Sequence, residues 1–203
     1  MTTTIDYYLT PQSPWTYFGH RRFVEIAKAA AARVNLLPVD FGRVFPVSGG
    51  LPLAKRAPQR QAYRLVELKR FAEHLGLPIN LQPTFFPVAG DPAARLITAV
   101  DMHDGTDAAL ALTGAVLSGV WAGQRNIADP ATLAAMLAEN GLPARRLDDA
   151  QSAAVQQRYD AATQRAIDAG IFGAPSYVVD GELFWGQDRL DFLQRRLAAQ
   201  SAG

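Results

Sequence analysis

A serine at the head of a helix is the residue near the start of this chain from which chemistry is most readily built. Ser13 precedes Pro14, the pairing of an N-cap side chain with a proline at the first helical position. Free N–H groups and the helix dipole stabilise negative charge at such an end by roughly 0.3–1 kcal/mol when exposed. Ser13 can be a cap and nothing more. Its oxygen can also accept from the helix while its proton is donated elsewhere. Other common catalytic groups are missing. The 203 residues include no cysteine, which excludes disulfides, thiolate metal sites, thiol nucleophiles and dithiol redox pairs. His20, His74 and His103 stand singly, without zinc-ligand spacing, and read as surface or partly buried residues.

A second concentration of instructions runs from Gly173 to Leu190. Gly170 or Gly173 closes a helix. Ala174-Pro175 is a turn that can be cis. Ser176–Val179 and Leu183–Trp185 read as strands joined at Asp180-Gly181, a strong hairpin signal. Gly186-Gln187-Asp188 then opens a helix, offering N–H groups to an anion, with Asp188 either an N-cap or a charge for a cationic group. Arg60 is a candidate for two-pronged carboxylate binding or simply a helix-surface charge. Trp15, Tyr17, Phe45, Phe85 and Phe86 could wall an aromatic pocket, although each suits a core equally well. Tyr63 and Trp121 read as core.

The elements that must position these groups follow from periodicity. Ile5–Leu9 reads as a strand, Trp15–Arg33 as a helix with Phe18, Phe23, Ile26 and Ala30 on one stripe, and Val34–Val39 as a strand. Strand, helix, strand implies a right-handed crossover and parallel pairing. Helices are then expected over Gln59–Leu75, from Asp91-Pro92, from Thr106-Asp107 to Ala122, from Asp129-Pro130 to Asn140-Gly141, and from Asp148 to about Gly170. The hairpin and a helix over Arg189–Ala199 complete the chain. The expected fold is α/β, a thioredoxin-like fold with an inserted all-α helical domain: residues 1–50 and 169–203 form the thioredoxin-like part, 51–168 the insertion. A hydrophobic content of 49% suffices for a sizeable core, and a net charge of +1 suggests neither a nucleic-acid groove nor a basic membrane patch. No apolar run is long enough to span a bilayer, and Met1-Thr2-Thr3-Thr4 lacks the regions of a signal peptide. A cytoplasmic protein is expected.

Several motifs, in order and at matching separation, resemble one family. Ser13-Pro14-Trp15-Thr16-Tyr17, Pro58-Gln59-Arg60-Gln61-Ala62-Tyr63 with Glu67 and Lys69-Arg70-Phe71-Ala72, Phe86-Pro87-Val88, Trp121-Ala122-Gly123-Gln124-Arg125-Asn126-Ile127, and Gly173-Ala174-Pro175 with Trp185-Gly186-Gln187-Asp188-Arg189-Leu190 are similar to signatures of the 2-hydroxychromene-2-carboxylate isomerases. That family groups with kappa-class glutathione transferases and DsbA-like proteins. The resemblance implies glutathione as cofactor, with the Ser13 hydroxyl donating to its sulfur. Such a bond is worth roughly 1.5–3 kcal/mol, enough to lower a thiol pKa by about one to two units. It implies further glutathione contacts at Arg60, Ala174, Pro175, Trp185, Gly186, Gln187 and Asp188, and substrate contacts at Trp15, Tyr17, Gly50 and Phe86. The implied reaction is cis-trans isomerisation of an unsaturated aromatic 2-oxo acid through reversible glutathione addition, on a homodimer. A kappa-class-like transferase shares the same site, and a non-catalytic thioredoxin-like binding module is a third reading. The chain departs from the family pattern at Gly50, where an Asn is common, and in Arg60, Glu67 and Phe71 for Lys, Asp and Trp.

Overall fold

A computed structural model describes residues 3–201 of the chain; the start of the segment read for targeting, Met1-Thr2, lies outside them. The first unit is the expected one: β1 (Thr4–Leu9), α1 (Pro14–Ala29) and β2 (Arg33–Pro38), with β1 and β2 parallel from Thr4↔Arg33 to Leu9↔Pro38. β3 (Ser176–Val179) runs antiparallel to β1, with Tyr7 opposite Tyr177. β4 (Glu182–Trp185) pairs antiparallel to β3, with Ser176 opposite Trp185. The sheet order is β2-β1-β3-β4. Asp180 and Gly181 have φ of 49° and 82°, the two positive values that a tight hairpin needs to match strand twist.

Helices fill the interval between β2 and β3: α2 (Phe41–Ser48), α3 (Pro58–Leu75), α4 (Asp91–Asp104), α5 (Thr106–Trp121), α6 (Pro130–Glu139), α7 (Arg146–Asp149) and α8 (Ala153–Asp168). A 3-10 turn over Gln187–Arg189 leads into α9 (Leu190–Ser201). Period-two alternation sends neighbouring β1 side chains to opposite faces. Ile5, Tyr7 and Leu9 join Phe23, Leu68, Leu96, Leu112, Trp121, Tyr177 and Leu193 in the larger core. Tyr8 enters a second cluster with Phe41, Val44, Ala166 and Ile171. The helical run therefore packs on the sheet itself.

Five expectations need correction. α1 stops at Ala29, not Arg33, because Ala31 takes a positive φ of 47° and Arg33 is already paired in β2. α2 was not foreseen: Gly42 and Pro46 argue against a helix locally. Asp40 caps it by accepting from the Gly42 N–H at 2.7 Å, and Phe41 and Val44 are held by the second core cluster. Gly90, not Asp91, is the N-cap residue of α4; the Asp91 carboxylate instead accepts from the Tyr159 hydroxyl at 2.9 Å. The long helix expected from Asp148 is divided. Arg146 is buried and its guanidinium holds Asp104 and Asp149, so the chain turns there, and Ser152 caps α8 through the Val155 N–H. Finally, Asp188 lies within the 3-10 turn, and Gly186, at φ 106°, occupies the capping place.

Candidate functional site

Ser13 does cap α1. Its Oγ accepts from the Thr16 N–H at 3.2 Å, and its own N–H reaches Thr10 O at 3.1 Å. Pro14 contributes no N–H, and that of Tyr17 is taken by Ser13 O at 3.0 Å. Of the donors at this helix end, the Trp15 N–H is without a backbone acceptor. The Ser13 hydroxyl proton points across the molecule to Ala174 O at 3.4 Å, a bond too long to be strong. The side chain is almost fully buried, so the hydroxyl is oriented by the helix and weakly committed to its acceptor. One serine thus joins two regions separated by 161 positions in sequence.

The Gly173–Asp188 segment builds the facing wall. Ala174-Pro175 is cis, as anticipated for this turn; Phe86-Pro87, not anticipated, is cis as well. Ser176 Oγ donates to Gly173 O at 2.7 Å, and the Gly186 N–H donates to Pro175 O at 2.9 Å. These bonds hold the turn against the end of β4. The Ala174 N–H has no backbone acceptor, which leaves a main-chain donor beside the Ser13 hydroxyl. The Trp185 indole lies across Gly173, where any side chain would displace it, and stacks edge-on against Phe172 at 4.7 Å. Asp188 folds back over Gly186 and pairs with Arg189 at 2.7 Å. Gln187 is buried, with its Cβ packed against Gly19 and its amide nitrogen without a hydrogen-bond partner among the described residues.

The remaining candidates are placed variously. Trp15 packs edge-on against Phe71 at 5.8 Å, and the Tyr17 hydroxyl donates to Pro78 O at 2.6 Å, tying α1 to the 77–90 loop. Burial raises the Tyr17 phenol pKa. Phe86 packs on Trp121 at 4.8 Å between ring centres, the rings tilted by 50°. Trp121 is core, as read, but Tyr63 is not: it is 57% exposed on the outer face of α3. Arg60 is exposed in the first turn of α3, with no side-chain bond to the Ser13–Ala174 pair. At Gly50, a Cβ would overlap the Phe45 ring, so Phe45 occupies the space an asparagine side chain needs.

One contact, Gln12 on Gly90, was not foreseen, and one expectation is corrected: His20, read as surface or partly buried, is enclosed in the core. Gln12, beside Ser13, lies over Gly90 at the start of α4 and accepts from Thr10 Oγ1 at 2.8 Å; only the fold brings them together. His20 is buried between the Tyr7 hydroxyl (3.1 Å) and Leu110 O (2.9 Å). Burial pushes its pKa down to about 4, so it is neutral at ordinary pH. No group of three or more His, Cys, Asp or Glu suited to a metal ion occurs among the described residues, and no helix there is long and apolar enough to cross a membrane.

The chain is 29% identical over 199 residues to the 2-hydroxychromene-2-carboxylate isomerase of Sphingobium xenophagum, covering 97% of this chain and 99% of that protein. It is 28% identical over 205 residues to the enzyme of the same name from Pseudomonas putida, covering 98% and 97%. Among solved structures, a 2-hydroxychromene-2-carboxylate isomerase superposes with a TM-score of 0.79 at 25% identity, covering 98% of both chains. The cytosolic disulfide reductase DsbM from Pseudomonas aeruginosa shares the fold, with a TM-score of 0.70 at 19% identity over 97% of this chain and 99% of that one. The DSBA-like thioredoxin domain matches residues 4–198, nearly the whole length over which sheet, cis-proline turn and capped α1 have been described, and the chain belongs to that family.

Proposed function

We propose that this protein is a glutathione-dependent isomerase of the 2-hydroxychromene-2-carboxylate type, acting on an unsaturated aromatic 2-oxo acid. The observation that carries the reading is the Ser13 hydroxyl, oriented by α1 and aimed at Ala174 O in a chain without cysteine. A thiol function must then come from outside the chain, and full-length relatives bear the isomerase name.

The residues present fit glutathione. The Ala174 N–H and C=O offer a short edge for main-chain pairing with an extended peptide. The N–H groups at the turn over Gln187–Arg189 suit a carboxylate, and Asp188, exposed beside it, suits an ammonium. Arg60 suits a second carboxylate. When bound, glutathione supplies a thiolate able to add to and leave a conjugated double bond. Ser13 would stabilise that thiolate by giving up its long bond to Ala174 O for a charge-assisted one, with the Trp15 N–H and the α1 dipole adding to the same field. Trp15, Tyr17 and Phe86 would orient the aromatic ring, and Gly50 would leave that side of the site to Phe45. The same reading extends to a homodimer, which sedimentation would check.

The test is product analysis. Incubated with glutathione and one geometric isomer of such an acid, the protein should yield the other isomer at unchanged mass with no net loss of glutathione. A stable adduct would make it a transferase instead. Absence of glutathione binding by calorimetry at millimolar concentration would leave only a binding module.

A further inference from the structure

Three arginines stand four residues apart across the start of α3: Arg56, Arg60 and Arg64. None is within ion-pair reach of a carboxylate among the described residues. Arg56 is held in place: its Nε donates to Leu51 O, and its own carbonyl accepts from Gln61 Nε2, both at 2.8 Å. Arg64 is on the helix row that leads through Leu68, fully buried, towards Ala72. Its guanidinium carbon sits 5.2 Å from the centre of the Phe86 ring and 5.5 Å from that of Trp121. A cation–π contact uses none of the five guanidinium N–H donors, and Arg64 makes no side-chain hydrogen bond among the described residues.

This is an unfavourable place for an uncompensated cation. Burial and the neighbouring Arg56 lower the Arg64 pKa to about 10, and burial and Arg60 lower that of Arg56. Arg64 remains protonated at neutral pH, partly desolvated and facing like charge. A residue needed only to cover Phe86 and Trp121 could be methionine or leucine at less cost. The arrangement is complete once an anion joins it: an aromatic floor, a guanidinium with its donors free, and further positive charge alongside. A chain of packed neighbours links it to the Ser13 end of α1. Phe71, two helical turns or about 10 Å along α3 from Arg64, packs on Trp15, while the 77–90 loop that carries Phe86 ends at Gly90 against Gln12.

We infer that Arg64, supported by Arg56, binds the carboxylate of an aromatic acid laid against Phe86, and so selects acids over neutral analogues. The inference rests on the isomerase reading for the reaction it serves, though the binding itself can be measured without that reaction.

Cinnamate and cinnamamide, equal in shape and different in charge, are suitable probes, titrated by calorimetry at low salt without glutathione. Wild-type protein should bind cinnamate at least roughly tenfold more tightly than cinnamamide, the size expected of a charge-assisted pair. Arg64→Gln should bring cinnamate down to the affinity of cinnamamide while leaving cinnamamide unchanged, which also shows that the variant is folded. Arg64→Lys should retain part of the preference, and Arg195→Gln, a distant exposed arginine, all of it. Equal binding of the two probes by wild type, undiminished cinnamate binding by Arg64→Gln, or an equal loss in Arg195→Gln overturns the inference. So does a loss of glutathione affinity in Arg64→Gln as large as that for cinnamate, since the anion held would then be glutathione's own. A wild-type protein that ignores glutathione yet discriminates the probes would sink the isomerase reading and leave this one standing.

Discussion

Ser13 combines two roles in one oxygen atom, and substitution can separate them. Ser13→Ala removes both the cap and the hydroxyl proton. Loss of the cap costs about 1 kcal/mol, or roughly 2–4 °C in Tm for a chain of this length. Loss of the proposed bond to a thiolate, worth roughly 1.5–3 kcal/mol, should lower the proposed isomerisation about 10- to 150-fold. Ser13→Asn restores an N-cap acceptor without a hydroxyl, so its melting temperature should return towards wild type while turnover stays low. Recovery of turnover in Ser13→Asn, or wild-type turnover in Ser13→Ala, would exclude the hydroxyl from the reaction. The cap was legible in Ser13-Pro14 because helix-start chemistry is local. The hydroxyl's other contact, Ala174 O, was not foreseen, since no local pattern joins residues so far apart; the resemblance implied only that both residues meet glutathione. Arg64 was not singled out because its significance lies in Phe86 and Trp121 and in the carboxylates that are not beside it.

Among the elements, α2 and α7 show how packing prevails over local preference. α2 carries Pro46 and ends at Gly49, whose φ is 75°, and it exists because Phe41 and Val44 are buried. Its end also explains Gly50. Restoring the commoner asparagine there should fail by overpacking: Gly50→Asn must displace Phe45, at about 1–3 kcal/mol. Thermal melts should show the loss, and Phe45→Ala combined with Gly50→Asn should cost less than the two single changes added together. Strict additivity would mean that the ring and the new side chain do not meet. α7 depends on charge. Arg146 is 4% exposed at its side chain and bonds Asp104 at 2.5 and 2.6 Å and Asp149 at 2.6 Å; Arg146 holds the Asp104 carboxyl below its usual range. Arg146→Ala removes the bonds to Asp104 and Asp149, carboxylates that water can reach, and should cost about 1.5–3 kcal/mol by urea unfolding. Adding Asp104→Asn should recover part of this, and no recovery would show that packing rather than charge is at stake.

For the molecule as a whole, the buried His20 sets a pH limit. Its folded-state pKa is about 4 against 6.5 for the free side chain, chiefly through burial. As pH falls through 6.5 the unfolded chain takes up the proton first, so the contribution is intact above that pH and lost progressively down to about 4, by about 3 kcal/mol in all. In urea titrations between pH 7 and pH 4, His20→Gln should lose less stability than wild type by about that amount. Identical pH profiles would mean that His20 is solvated or charged in the fold. The sequence alone determined the βαβ start, the hairpin at Asp180-Gly181, most helix boundaries and the lack of any thiol of the chain's own, because caps, turns and composition act over a few residues and need no partner. Tertiary structure alone decided that Ser13 faces Ala174, that Phe45 fills the space at Gly50, that His20 is sealed in the core and that Arg64 lies on Phe86 and Trp121. Each is a meeting of residues from different elements, and burial, charge and packing at such a meeting take their values only when the chain has folded around it.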